Sequence, residues 1–372
     1  CVKHKKYKYL WIGYNMAYAS ISKPGLHHST LLYTGDNSTN QAITGVGFQP
    51  DLVWMKIRSG STHNHVLIDK VRGVNKLIFT NNNSGNSTND AYGYLQSFDS
   101  DGFTTQKGSD GNAWNVNGSG TYAAFNWKAG GTTGSSNSDG SITSSVSVNA
   151  TADFSIVSYT GTGSNATIGH GLAAAPGYIL IKQLTGSNVD WFGYHKSISP
   201  AAGFKINQTA NPGNDSGYWN NTAPTNSVFS VGNANTVNGS GVQYIAYCWA
   251  EVKGYSKFGA YYGNGNDDGT FVYTGFKPAW VLVKNRQQSS DDWILHNNKS
   301  PGFNVNNKYF YANTNNSEIN LATLQMDLLS NGFKIRKSTG AFNNNNEVIL
   351  YIAFAEEPVV ANVGQSIPAT SR

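Results

Sequence analysis

Hydrophobic positions in this chain alternate, or fall in short continuous runs bounded by Gly, Asn, Asp or Pro. They almost never recur at helical spacing. That is the pattern of β-strands joined by tight turns. One strand pattern occurs three times: Gly47-Phe48-Gln49-Pro50-Asp51-Leu52-Val53-Trp54-Met55-Lys56, then Ala175-Pro176-Gly177-Tyr178-Ile179-Leu180-Ile181-Lys182, then Gly275-Phe276-Lys277-Pro278-Ala279-Trp280-Val281-Leu282-Val283-Lys284. In each copy a lysine follows the proline by six residues, and the residues between suit a buried strand. The proline stands at the strand entrance, where its missing N–H does least harm.

Further landmarks keep step. Turns on Tyr33, Tyr159 and Tyr261 precede the prolines, and His65, Trp191 and Trp293 follow them by fifteen residues. Strand starts at Phe103, Phe229 and Phe333 come later. Each unit closes on one pattern: Tyr122-Ala123-Ala124-Phe125, Tyr244-Ile245-Ala246-Tyr247 and Tyr351-Ile352-Ala353-Phe354. The closing strands are apolar on both faces, so each must be central or covered by another layer. The expected fold is all-β: three tandem homologous β-sandwich modules, jelly-roll-like, with short connections. The alternative is a single closed body with internal pseudo-threefold symmetry. Only Leu321–Ser330, with Leu321, Leu324 and Leu328, has helical spacing, and a short helix is expected there.

The chain divides accordingly. Residues 1–26 form a basic, tyrosine-rich arm, 27–129 the first module, and 130–153 a Gly/Ser-rich linker followed by one strand. Residues 154–253 and 254–358 are the second and third modules, and 359–372 a polar tail. The linker predicts that modules one and two are the more loosely coupled pair.

Composition narrows the function classes. Of 372 residues only 13% are charged, while aromatics also reach 13% and Gly numbers 41. The net charge of +5 resides in Lys3, Lys5, Lys6, Lys8 and Lys23, with no acid in the first thirty residues, so the remainder is neutral. A nucleic-acid binder would carry its excess on the folded body, so no nucleic-acid partner is expected. No apolar run reaches membrane-spanning length, so no membrane insertion is expected. The two cysteines, Cys1 and Cys248, make no disulfide framework or zinc spacing, and Cys248 falls in a closing strand as a buried thiol.

Several strings resemble a three-repeat β-protein family encoded by marine tailed bacteriophages, whose members are labelled virion structural or tail proteins. They are Tyr33 to Trp54, Gly140-Ser141-Ile142-Thr143-Ser144, Phe154 to Gly161, Gly169-His170-Gly171-Leu172, Gly254 to Gly259, Phe271 to Phe276, and the ending Ile367-Pro368-Ala369-Thr370-Ser371-Arg372. The resemblance covers about residues 31–372; residues 1–26 depart from it. It implies a non-enzymatic structural subunit of a virion, extracellular, such as a tail fibre, appendage or surface unit. The implied partners are other virion proteins and further copies of the chain, with three copies by analogy with phage fibres. The apolar faces of the closing strands supply a physical motive for self-association. The alternative is a carbohydrate-binding adhesin that recognises a host surface glycan, and a polysaccharide hydrolase ranks third.

No catalytic motif, phosphate loop or cofactor fingerprint occurs, so neither catalytic residue nor cofactor is assigned. Asp190 and Asp292 invite a glycosidase reading, but duplication alone explains their matched places. The sequence candidates for glycan stacking are Trp114 and Trp219, with Tyr218 beside the latter, because both tryptophans lie in Gly/Asn-rich loops. The weak calcium candidates are Asp99 and Asp101 in one turn and Asp267 and Asp268 in another; neither turn has a full calcium loop, and plain turns are the expectation. No metal is assigned.

Overall fold

A computed structural model describes residues 19–60, 62–87, 91, 93–109, 117–357, 360–362 and 365–368. Its strands, in chain order, are His28–Thr34 (β1), Gln41–Thr44 (β2), Leu52–Ser59 (β3), Val66–Asp69 (β4), Ile78–Phe79 (β5), Tyr94–Asp99 (β6), Gly102–Gln106 (β7) and Thr121–Trp127 (β8). There follow Ser135–Asn137 (β9), Ser144–Asn149 (β10), Phe154–Thr160 (β11), Ala166–Gly169 (β12), Tyr178–Gln183 (β13), Phe192–His195 (β14), Ala202–Gly203 (β15), Gly213–Asn214 (β16), Val228–Val231 (β17) and Gln243–Trp249 (β18). The last group is Ser256–Tyr262 (β19), Phe271–Tyr273 (β20), Pro278–Asn285 (β21), Ile294–Asn297 (β22), Lys308–Tyr311 (β23), Ile319–Asn320 (β24), Met326–Leu329 (β25), Gly332–Ile335 (β26), Val348–Ala355 (β27) and a terminal hairpin, Val360–Asn362 (β28) with Gln365–Pro368 (β29). The protein is all-β, and its named strand pairs are antiparallel.

Three large sheets carry the structure. Their orders are β1-β8-β3-β4-β5, β14-β13-β18-β11-β10-β9 and β19-β27-β21-β22-β23-β24. In each, the strand after the landmark proline pairs with the closing strand, which pairs in turn with the first strand. Smaller sheets, β2-β7-β6, β12-β17 and β20-β26-β25, form the second layers.

The alternation of side chains shows where the cores lie. Trp54, Phe125 and Trp127 from the first sheet meet Tyr178, Leu180, Tyr247 and Trp249 from the second and Trp280, Leu282, Ile352 and Phe354 from the third in one shared core. The alternate residues on the same strands, such as Val53 and Met55, Ile179 and Ile181, and Val281 and Val283, pack into three separate cores under the small sheets. So each closing strand is apolar on both faces because it lies between the shared core and its own sandwich core.

At the centre, the rings of Trp127, Trp249 and Phe354 stand 6.1, 5.6 and 6.2 Å apart pairwise. Such edge and tilted contacts add to the burial term. The indole N–H groups of Trp127, Trp249 and Trp280 find no acceptor, so ring packing alone holds the centre.

The shared core corrects several expectations. Modules one and two are not loosely joined, since both contribute to it. Residues 130–153 do not act as a free linker: Gly130 to Thr133 are exposed, but β9 and β10 extend the second sheet. Ser with Ile and Val alternation gave β10 correctly, while the low apolar content of 130–140 concealed an edge strand. The arm at 1–26 is not wholly a solvated tail: residues 1–18 lie outside the described residues, but Ile21 is buried in the shared core and Ser20 N–H donates to the Lys253 carbonyl. Leu321–Ser330 is not helical: Met326–Leu329 is a strand whose Met326 and Leu328 face the third sandwich core. The leucine spacing mixed one strand residue, Leu328, with Leu321 and Leu324 in the turn before the strand.

Candidate functional site

The landmark residues converge on the seams between the sheets. Nε1–H of Trp191 donates to the Phe79 carbonyl at 2.8 Å, and that of Trp293 donates to the Lys205 carbonyl at 3.2 Å. His65 replaces tryptophan in the first sheet. Its Nδ1 accepts from Trp54 Nε1–H at 3.0 Å, so the ring proton is on Nε2, which donates to the Tyr311 carbonyl at 3.0 Å. The second sheet thus binds the first, the third binds the second, and the first binds the third, a closed ring of contacts.

An asparagine, buried at Asn207 and half-buried at Asn81 and Asn313, orients each of these residues. His65 N–H donates to Asn81 Oδ1, Trp191 N–H to Asn207 Oδ1 and Trp293 N–H to Asn313 Oδ1, at 2.8, 3.1 and 2.8 Å. Each amide is fixed in turn by the residue before the ring: Asn81 by Asn64, Asn207 by Asp190 and Asn313 by Asp292, at 2.8, 2.7 and 2.6 Å. The two aspartates that suggested a glycosidase pair are therefore matched supports in different sheets. Hydrogen bonds and the Lys205 ammonium hold the Asp190 carboxyl below its ordinary value, against the effect of burial.

The lysines after the prolines sit at the same seams and are wholly buried. Lys56 Nζ donates to the carbonyls of His63 and Asn315, the second at 2.9 Å. Lys182 Nζ donates to Val189 and Asn83, at 2.5 and 2.9 Å. Lys56 thereby reaches the third module and Lys182 the first. Lys284 stays local, on Asn285 and Gln288 at 2.7 and 3.1 Å; there Asn211 of the second module donates to Gln287 instead, at 3.2 Å. Burial lowers Lys56 to about 7, and Lys182 and Lys284 to about 8. A further polar link joins the first two sheets: Tyr247 donates to Asp69, which is paired with Arg72.

The structure does not support Trp219 as an exposed stacking platform. It is 1% exposed, packed between Phe192 and Tyr194 in the second sandwich core. A polar loop around an indole signals exposure only if nothing folds over it, and a one-turn helix, Ser216–Trp219, turns this indole inward. Tyr218 is half-buried against Phe192, with ring centres 3.8 Å apart. Trp114 lies outside the described residues.

The four aspartates of the calcium turns are all engaged locally. Asp99 accepts from Ser97 and Thr104, and Asp101 from the N–H groups of Gly45 and Gly47. Asp267 pairs with Lys337 and is lowered to about 2 chiefly by that contact, and Asp268 pairs with Lys334. No group of three or more metal-ligating side chains occurs among the described residues. Cys248 is a buried free thiol, its ionisation pushed up by burial.

Sequence reasoning missed one exposed feature. Strand β20 turns Val272 inward and leaves Phe271 43% and Tyr273 59% exposed. The same positions hold Ala42 and Thr44 in β2, and Thr167 and Gly169 in β12, as the pairing of Ile43, Ile168 and Val272 with Phe103, Phe229 and Phe333 fixes. The signal was a difference between copies at non-landmark positions.

Taken together, fold and seams define an all-β protein of three large antiparallel sheets closed around a common aromatic core. Residues 23–358 match the family described as Domain of unknown function (DUF7483), and the chain belongs to it. No curated protein and no solved structure matches.

Proposed function

We propose that this chain is a non-enzymatic structural subunit of a tailed-phage virion, displayed on a fibre, appendage or particle surface. The observation that carries the structural half of this reading is the ring of matched seam bonds from His65, Trp191 and Trp293. Residues at matched places in the three sheets lock sheet to sheet, which suits a rigid displayed body. The carboxylates that a hydrolase reading would use, Asp190 and Asp292, serve the same locks. The virion half rests on the resemblance of the sequence strings. Gold-labelled antibody against the chain, imaged on intact particles, tests it: label at a fixed place on the particle supports the reading, and particles free of the chain overturn it.

The apolar closing strands no longer argue for a trimer. Leu350, Ile352 and Phe354 are covered by the chain's own sheets. A second reading, carbohydrate binding, is favoured by the exposed rings of β20 rather than by Trp219.

A further inference from the structure

The outer face of the small sheet β20-β26-β25 differs from its two counterparts. Its cross-strand rows are Phe271, Lys334 and Asp327, then Tyr273, Gly332 and Leu329. In the first module the rows are Ala42, Thr104 and Ser97, then Thr44, Gly102 and Asp99. In the second, Gly169 is covered by Asn137, and Ile142 bridges to Ile168 along the strand edge. Among the described residues of the three outer faces, only the third presents rings.

Those rings have a fixed setting. A Cβ on Gly332 would lie 3.1 Å from Phe271 Cε2, so the ring leans over a bare backbone. The Tyr273 hydroxyl approaches Gly275 in the same way, at 3.5 Å. Phe271 and Tyr273 are two residues apart on one strand face, roughly 7 Å along it. Charged groups border them. Lys334 pairs with Asp268 at 2.8 Å, and Arg336 lies 3.5 Å from Asp327. The Lys257 ammonium is 5.2 Å from the centre of the Tyr273 ring and donates to the Tyr273 carbonyl.

We propose that Phe271 and Tyr273 form a carbohydrate-binding platform, each ring taking the apolar C–H face of one sugar unit while Lys257, Lys334, Asp268, Asp327 and Arg336 meet its hydroxyls. Area decides against a second copy of the chain. The two rings offer on the order of 200 Å², whereas a stable protein interface needs about 800 Å² per partner. The interleaving of rings with ion pairs also suits a ligand that is apolar on its faces and polar on its rim. Because Lys257 bonds a carbonyl and not a carboxylate, the platform carries one cation beyond its ion pairs, and acidic polysaccharides bind it more tightly than neutral ones. The inference goes beyond the structural role, and virion labelling neither supports nor defeats it.

The experiment measures binding of the full chain to alginate, a carrageenan, laminarin and dextran by affinity electrophoresis and calorimetry. Retardation by at least one acidic polysaccharide is expected, with affinity falling tenfold or more in Phe271→Ala and in Tyr273→Ala and the acidic preference shrinking in Lys257→Gln. Ala42→Phe with Thr44→Tyr, at two exposed positions, built into the Phe271→Ala, Tyr273→Ala background, is expected to restore part of the binding. Thermal melts confirm that each variant is folded. No binding of the native chain to any of the four, or binding unchanged in the folded Phe271→Ala, Tyr273→Ala variant, overturns the proposal.

Discussion

Acid should unfold this protein well before its carboxylates protonate, because its buried histidines are held neutral by geometry. His65 accepts a hydrogen bond on Nδ1 and donates from Nε2 to Tyr311 across a seam. His195 repeats the arrangement, accepting from Ser197 N–H and donating to the Tyr351 carbonyl of the third module, both at 3.1 Å. A second proton would place an N–H against an N–H in each case. Burial drives His65 well below its ordinary value, His195 and His296 to about 4, and His28 to about 3. Each of these groups binds its proton more readily in the unfolded chain. Its contribution to stability is therefore complete above the unfolded value near 6.5 and is lost as pH falls below it. The loss approaches about 1.4 kcal/mol per pH unit for each group, or roughly 2 kcal/mol each at pH 5. Four such groups together remove about 8 kcal/mol, which is comparable to the total stability of a typical domain. Asp51, Asp153, Asp291 and Asp327, raised by burial, act in the opposite sense as pH falls. Urea unfolding followed by tryptophan fluorescence from pH 7.5 to 5 reads the effect. The midpoint should fall steeply through pH 6, and His195→Gln, which keeps a donor and an acceptor without the titration, should flatten the slope. A midpoint constant from pH 7.5 to 5 would refute the reasoning.

On the alkaline side stability first goes on rising: the lowered lysines make the unfolded chain the better proton binder between roughly pH 8 and 10. Above about pH 10 it falls again, because burial holds tyrosines such as Tyr122 and Tyr351, each raised to about 12, in their neutral form; melting temperature against pH should therefore peak between these limits, and a monotonic fall from pH 7 counts against the buried lysines. Trp191→Phe keeps the ring but leaves the Phe79 carbonyl unpaired, at a cost of about 1–3 kcal/mol in chemical unfolding, and a neutral result would show that the seam bond holds nothing. Limited proteolysis should cut first among the exposed residues Gly130 to Thr133. The nicked pieces should then stay together on gel filtration because they share one core, and their separation would contradict it. Light scattering on the full chain should report a monomer, since the closing strands are covered within the chain; a trimer would show that some other surface drives assembly.

The strands and their alternation were legible because sheet burial is written locally, with period two. Val53, Ile179 and Val281 were recognisable as buried from their neighbours alone. Which partner covers which face was not. Phe125 and Ile352 are apolar whether a second subunit, a separate module or a common core lies against them, and only the closure of three sheets selects the last. Likewise, the repeated spacing from proline to Trp191 and Trp293 was visible, but its purpose was not, because the acceptors at Phe79 and Lys205 lie more than eighty residues away along the chain.

The same logic explains why Trp219 was expected to be exposed and the rings of β20 were passed over. Repeats reveal what three copies have in common, and here the common residues hold the sheets together. A binding face on one copy must show itself as a departure from that pattern. Ala42-Ile43-Thr44, Thr167-Ile168-Gly169 and Phe271-Val272-Tyr273 each turn a β-branched aliphatic residue inward and differ in the two outward ones. Trp219 attracted attention as a large ring in a polar loop, yet burial is decided by what folds over a side chain. Phe271 and Tyr273 passed as ordinary strand residues, and only the sheet pairing shows that they stand where the other two copies carry small ones. If the platform binds sugar, the three sheets share their locks while recognition sits on one of them, and transferring the two rings to Ala42 and Thr44 should transfer part of the recognition, the rest depending on the charged residues that border β20.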